Sequence, residues 1–113
     1  YDMMENAERS VSQPDALFYT VFAGPVSEKA DLLRKASPIS YAGEKLPPFF
    51  VMHGDSDRLV PISQTENFYT AAKAAGNPVE KLIVPGQGHG FFEGSQYYDA
   101  IFDFFCRVFG KKQ

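Results

Sequence analysis

Two short apolar runs without polar alternation, Phe49-Phe50-Val51-Met52 and Leu82-Ile83-Val84, constrain the fold of this 113-residue chain more than any other feature. A strand with one wet face alternates apolar with polar residues, whereas a continuous run suits a strand covered on both faces, as in a parallel sheet. Pro47 and Pro48 stop any helix before the first run. Pro85 and the glycines after it close the second, so a strand is read over Val79–Val84. Between the runs, Ser63 and Glu66 form a capping box. Phe68, Ala71, Ala72 and Ala75 then recur at helical spacing until Gly76-Asn77-Pro78 ends the element. The pattern predicts a helix over 63–75 and parallel pairing of the two strands in a βαβ unit. Ser95 caps a last helix. Its Ile101, Phe105 and Val108 mark one face, widened by Phe102 and Phe109, which implies burial against a sheet.

The fold class is therefore α/β: a β-α-β-α stretch of a doubly wound parallel sheet, preceded by short helices. Upstream, Asp15 caps an apolar helix through Leu17, Phe18, Val21 and Phe22. Gly24-Pro25 breaks it, and Ser27 starts another helix that ends near Ser37-Pro38. With 44% apolar residues the chain suffices for one domain or part of one. Residues 1–41 read as a helical connecting segment, and 42–113 carry the β-α-β-α portion. Two strands do not complete a doubly covered sheet, and the chain opens on Tyr1 and polar text, so a truncated chain, a fragment of a larger sheet, is expected. Its bare sheet edge and aromatic helix face should favour self-association.

A net charge of −3 with interspersed signs offers no basic stripe for nucleic acid and no polybasic patch for a membrane surface. No apolar run approaches the roughly 20 residues of a membrane span, and a soluble, cytoplasmic chain is expected. The single cysteine, Cys106, lies among Phe104, Phe105 and Val108 and reads as a small apolar filler.

Each strand runs directly into a loop that can carry chemistry: His53-Gly54-Asp55-Ser56-Asp57-Arg58-Leu59-Val60-Pro61 after the first, and Gly86-Gln87-Gly88-His89-Gly90-Phe91 after the second. Ligands of open α/β sheets bind at these carboxyl ends. Asp57 and His89 are 32 positions apart, one strand-helix-strand excursion, so neighbouring strands bring them to one edge. Glycines 86, 88 and 90 leave room for a mobile imidazole and permit turns of positive φ.

These residues resemble the C-terminal part of the α/β-hydrolase fold, in particular its esterase, dienelactone-hydrolase-like and prolyl-oligopeptidase-like members. The matching text is Ser37-Pro38, Pro47-Pro48, HGDSDRLVP and PGQGHGFF. The resemblance implies Asp57 as the acid and His89 as the base of a serine-hydrolase triad acting on carboxylic esters. Asp57 would hold the imidazole tautomer while His89 shuttles the proton. No cofactor is implied, and the substrate of the whole enzyme would be a small-molecule ester. No Gly-x-Ser-x-Gly elbow occurs, and none of the serines stands in an elbow context, so the nucleophile and oxyanion hole are missing and the chain alone is expected to be inactive.

Other readings attach to the same loops. A peptidase on the same fold is the nearest alternative, and a non-catalytic module completed by a partner chain is another. Asp55-Ser56-Asp57 also resembles the Asp-x-Asp loop of haloacid-dehalogenase-like phosphatases, in which Asp55 would be a magnesium-dependent nucleophile. However, His53-Gly54 intervene after the strand and Leu59 stands where that family has Thr or Val. Asp55 and Gly54 are otherwise assigned to shaping the loop. His53 reads as a packed or hydrogen-bonded histidine at a strand end rather than a zinc ligand, since no further ligands cluster with it. Phe91 and Phe92 could line a substrate pocket beside His89, or belong to the core.

Overall fold

The computed structural model describes residues 26–90 and 94–110. The elements run α1 (Val26–Ala36), a 3-10 turn (Pro38–Tyr41), β1 (Phe49–Gly54), α2 (Ser63–Ala74), β2 (Val79–Val84) and α3 (Ser95–Phe109). The helix expected around Asp15 lies outside the described residues, as do Phe91 and Phe92.

β1 and β2 pair in parallel without interruption, from Phe49 opposite Val79 to Gly54 opposite Val84. Because successive strand side chains alternate between faces, one set of positions meets α2 and the other α3. On the first face, Phe49 packs edge-on against Phe68 of α2 at 5.7 Å between ring centroids. Val51 and Val79 join Phe68, Ala72 and Ala42 in the core, with Ile39, Leu46, Tyr69 and Ala71 around it. Lys81 on the same face reaches the Glu66 carboxylate and lies 4.5 Å above the Tyr69 ring. On the second face, Phe50 meets Phe104 of α3 at 5.4 Å, and Glu80 pairs with Arg107 at 2.6 Å. His53, two residues beyond Val51, thereby belongs to the α2 face.

The turn after α2 is fastened by Asn77. Its backbone N–H caps the helix through the Ala72 carbonyl at 3.0 Å. Its buried side-chain amide donates to the carbonyls of Ala42 and Glu44 and accepts from the Leu46 N–H. One side chain thus satisfies three backbone groups of the segment leading into β1.

Three local expectations are corrected. The Ser63–Glu66 capping box does not form: Ile62 occupies the cap position with helical dihedrals and no side-chain bond, while Glu66 turns to Lys81. The ion pair across to β2 outcompetes the local cap. Among the described residues the strands have a helix on each face but are only partly buried, since Phe49 is 37% exposed and Phe50 and Met52 are half-buried. Two strands and two short helices leave their flanks open. In α3 it is Phe104 that is buried, whereas Phe105 is 49% exposed and Val108 also lies open, because only one line of that helix meets the narrow sheet. Cys106 beside them is partly buried.

Among the described residues no helix is long and apolar enough to cross a membrane.

Candidate active site

Both loops leave the carboxyl ends of adjacent strands, and the first is built to hold the second. Ser56 N–H donates to the Gln87 carbonyl at 2.9 Å, and Asp55 N–H to the Val84 carbonyl at 3.1 Å. The Asp55 carboxylate crosses over to accept the Gly86 N–H at 2.7 Å, and also takes the Ser56 hydroxyl at 3.0 Å. The sequence assigns Asp55 to shaping the loop that carries Asp57; in the structure its carboxylate bonds the Gly86 N–H of the loop that carries His89. Gly54 lies so close to the partner loop that a Cβ would stand 2.6 Å from the Gly88 carbonyl oxygen and closer still to that of Gln87. Real Cβ atoms do not tolerate such contact with backbone, so glycine is required here for close approach. Gly86 and Gly90 adopt positive φ, 71° and 125°, which aims the turn.

Within this frame His89 Nδ1 lies 2.9 Å from Asp57 Oδ2. The Asp57 side chain is 5% exposed and that of His89 52%, so a buried acid holds an imidazole that opens to solvent. The remaining ring nitrogen, Nε2, has no hydrogen-bond partner among the described residues. Asp57 Oδ1 accepts the backbone N–H groups of Leu59 and Val60, each at 2.8 Å. Burial raises the pKa of this carboxyl. The Val60 N–H, the His89 hydrogen bond, the Leu59 N–H and the His89 charge outweigh that penalty and lower it from 3.8 to about 2. Asp57 is accordingly an anion across the neutral range.

His53 is buried, with Nδ1 2.6 Å from Thr65 Oγ1 and Nε2 2.9 Å from the Val60 carbonyl and 3.2 Å from Asp57 Oδ2. It is a hydrogen-bonded strand-end histidine, and among the described residues no three His, Cys, Asp or Glu side chains are grouped to hold a metal ion. Thr65 and the main chain of Leu59 and Val60 are participants that pattern reading missed. A threonine in the first turn of a helix carries no mark of the strand that it will face. The Leu-Val-Pro text hinted only that the loop was structured.

The arrangement can transfer one proton at His89 Nε2 and stabilise the imidazolium through Asp57. Residues 6–112 match the family model described as prolyl oligopeptidase family. The chain is 34% identical over 87 residues to esterase LipQ of Mycobacterium tuberculosis, covering 72% of this chain and 21% of that protein. It is 39% identical over 65 residues to the rat acylamino-acid-releasing enzyme, covering 58% of this chain and 9% of that one. It thus spans at most about a fifth of the length of these curated relatives. The fold is shared with the crystal structure of puromycin hydrolase, at a TM-score of 0.78 and 24% identity over 98% of this chain and 17% of that one. Of the two family resemblances drawn from the sequence, the family and curated matches fall on the α/β-hydrolase one. With its parallel βαβ core and this match over nearly its whole length, the chain belongs to the prolyl oligopeptidase family of α/β-hydrolase-fold hydrolases.

Proposed function

We propose that this chain supplies the acid, Asp57, and the base, His89, of a Ser-Asp-His triad for carboxylic ester hydrolysis, the serine nucleophile lying outside residues 1–113. The observation that carries the reading is the 2.9 Å contact between His89 Nδ1 and a buried, anionic Asp57, with Nε2 left toward solvent. In this reading Asp57 accepts the Nδ1–H and fixes the tautomer with a bare Nε2. His89 Nε2 takes the proton of the serine hydroxyl as its oxygen attacks the ester carbonyl, and returns that proton to the departing alkoxide. Water, deprotonated by the same nitrogen, then attacks the acyl-enzyme, releasing the acid while the imidazolium returns the proton to the serine oxygen. No cofactor takes part. Backbone N–H donors for the oxyanion would come, with the nucleophile, from the rest of the enzyme.

The similarity to acylamino-acid-releasing enzymes supports a second reading, hydrolysis of an amide bond by the same two residues. Turnover of p-nitrophenyl butyrate and of an acylated amino-acid anilide by the complete enzyme discriminates the two. His89→Ala in the complete enzyme should lower turnover by about 10⁶-fold. Residues 1–113 alone should give none. Turnover by the isolated chain that vanishes on His89→Ala would contradict the assignment of the nucleophile to sequence outside it.

A further inference from the structure

The buried histidine beside the acid has a defined donor at Nε2. A backbone carbonyl only accepts, so the Val60 carbonyl 2.9 Å from His53 Nε2 requires that nitrogen to carry its hydrogen. The same N–H faces Asp57 Oδ2 at 3.2 Å and is shared between the two acceptors. At the other end of the ring, Thr65 Oγ1 stands 2.6 Å from Nδ1, within hydrogen-bond distance, so the ring is held at both nitrogens. Val60 closes the circuit, because its N–H holds Asp57 Oδ1 at 2.8 Å while its carbonyl holds His53.

The Asp57 carboxylate therefore receives four donors: Leu59 and Val60 N–H on Oδ1, and His89 Nδ1–H and His53 Nε2–H on Oδ2. A carboxylate has about four lone-pair sites, so its acceptor capacity is filled and its rotation is fixed. The backbone pair alone leaves Oδ2 tethered at a single point, the half-exposed His89. His53 adds the second tether from a buried ring that is itself held at both nitrogens.

We infer that His53, its ring held by Thr65 on α2, is a positioning residue that orients Asp57 Oδ2 toward His89. The inference rests on the proposed roles of Asp57 and His89 and adds a residue to them. It also gives the pleat a function: odd positions of β1 face α2, which places His53 against Thr65 and aims its other edge into the acid loop.

The test is ester turnover by the complete enzyme carrying His53→Phe, His53→Gln, Thr65→Val and, as control, His89→Ala. His53→Phe keeps a ring but removes the donor, and should lower kcat by roughly tenfold or more with KM little changed. His53→Gln restores an N–H near the Nε2 position and should recover most of that loss, although it packs less well. Thr65→Val removes the hydroxyl with little change of shape, and should lower kcat in the same sense while the enzyme stays folded. It decides the matter if His53→Phe does not fold. Equal losses in Phe and Gln, or a fall in folded fraction with kcat per folded enzyme unchanged, would overturn the inference and leave His53 a packing residue. If His89→Ala retains activity, the triad reading itself fails. If only His89→Ala is inactive and the other variants match wild type, the failure is confined to His53.

Discussion

At the scale of single residues, the Asp57 carboxylate concentrates the electrostatics of the described chain. It is buried, yet its pKa is about 2, because directed N–H groups exceed the cost of desolvation. That shift links the residue to stability. The folded-state value lies below the ordinary 3.8, so the folded chain resists protonation and ionised Asp57 stabilises it fully above about pH 4. The contribution falls as pH drops from 4 toward 2 and is gone below both values. Urea unfolding of wild type and Asp57→Asn should differ at pH 5 and converge near pH 2. A gap that is constant with pH would contradict the role of the charge. Much of this residue's setting was legible in sequence: Asp57 and His89 follow from HGDSDRLVP and the glycine-flanked histidine. The second tether on Oδ2 was not, since Thr65 and His53 meet only through the pleat and the placement of α2.

At the scale of elements, the two loops behave as one part. Gly54 and Asp55 in the first set the position of the second through backbone contact and the Gly86 N–H. Gly54→Ala would force the Gln87 and Gly88 carbonyls away and carry His89 with them. In the complete enzyme, kcat should fall by about 10²-fold, since misplacement by about 1 Å costs that much. Unchanged kcat would show that the loop reseats without loss. The turn after α2 obeys a different physics. Asn77→Ala leaves the Ala42, Glu44 and Leu46 backbone groups without their side-chain partner, and should destabilise the fold by about 2–4 kcal/mol in chemical denaturation. Strand order, parallel pairing and the α2 span could be read from the apolar runs and their punctuation to within a residue or two. The capping box and the face of α3 could not. Glu66 had two partners to choose from, the local N–H and Lys81, and tertiary structure decided between them. Phe104, Phe105 and Val108 all fit a helical stripe, and only the position of Phe50 singles out Phe104.

At the scale of the whole molecule, the described residues form a two-stranded sheet with both outer edges unpaired within them, and α3 presents Tyr98, Phe102, Phe105 and Phe109. Phe102 is 60% and Phe109 70% exposed, and Phe105 stacks on Phe109 at 6.1 Å, forming an apolar stripe. Residues 1–113 expressed alone should therefore associate with rising concentration in analytical ultracentrifugation; a monodisperse monomer at high concentration would contradict this. The same openness separates geometry from turnover. In the proposed reading acid and base are already in contact here, and what activity would require beyond them is a nucleophile and oxyanion donors.

The most direct test of that account is a double-mutant cycle on ester turnover by the complete enzyme, with Asp57→Asn, His89→Ala and both together. Asp57 is proposed to act only through His89, so the double variant should be no slower than His89→Ala alone, as residues of one catalytic unit behave. A double variant slowed by the product of the two single effects would show that Asp57 and His89 act independently, and would contradict the triad.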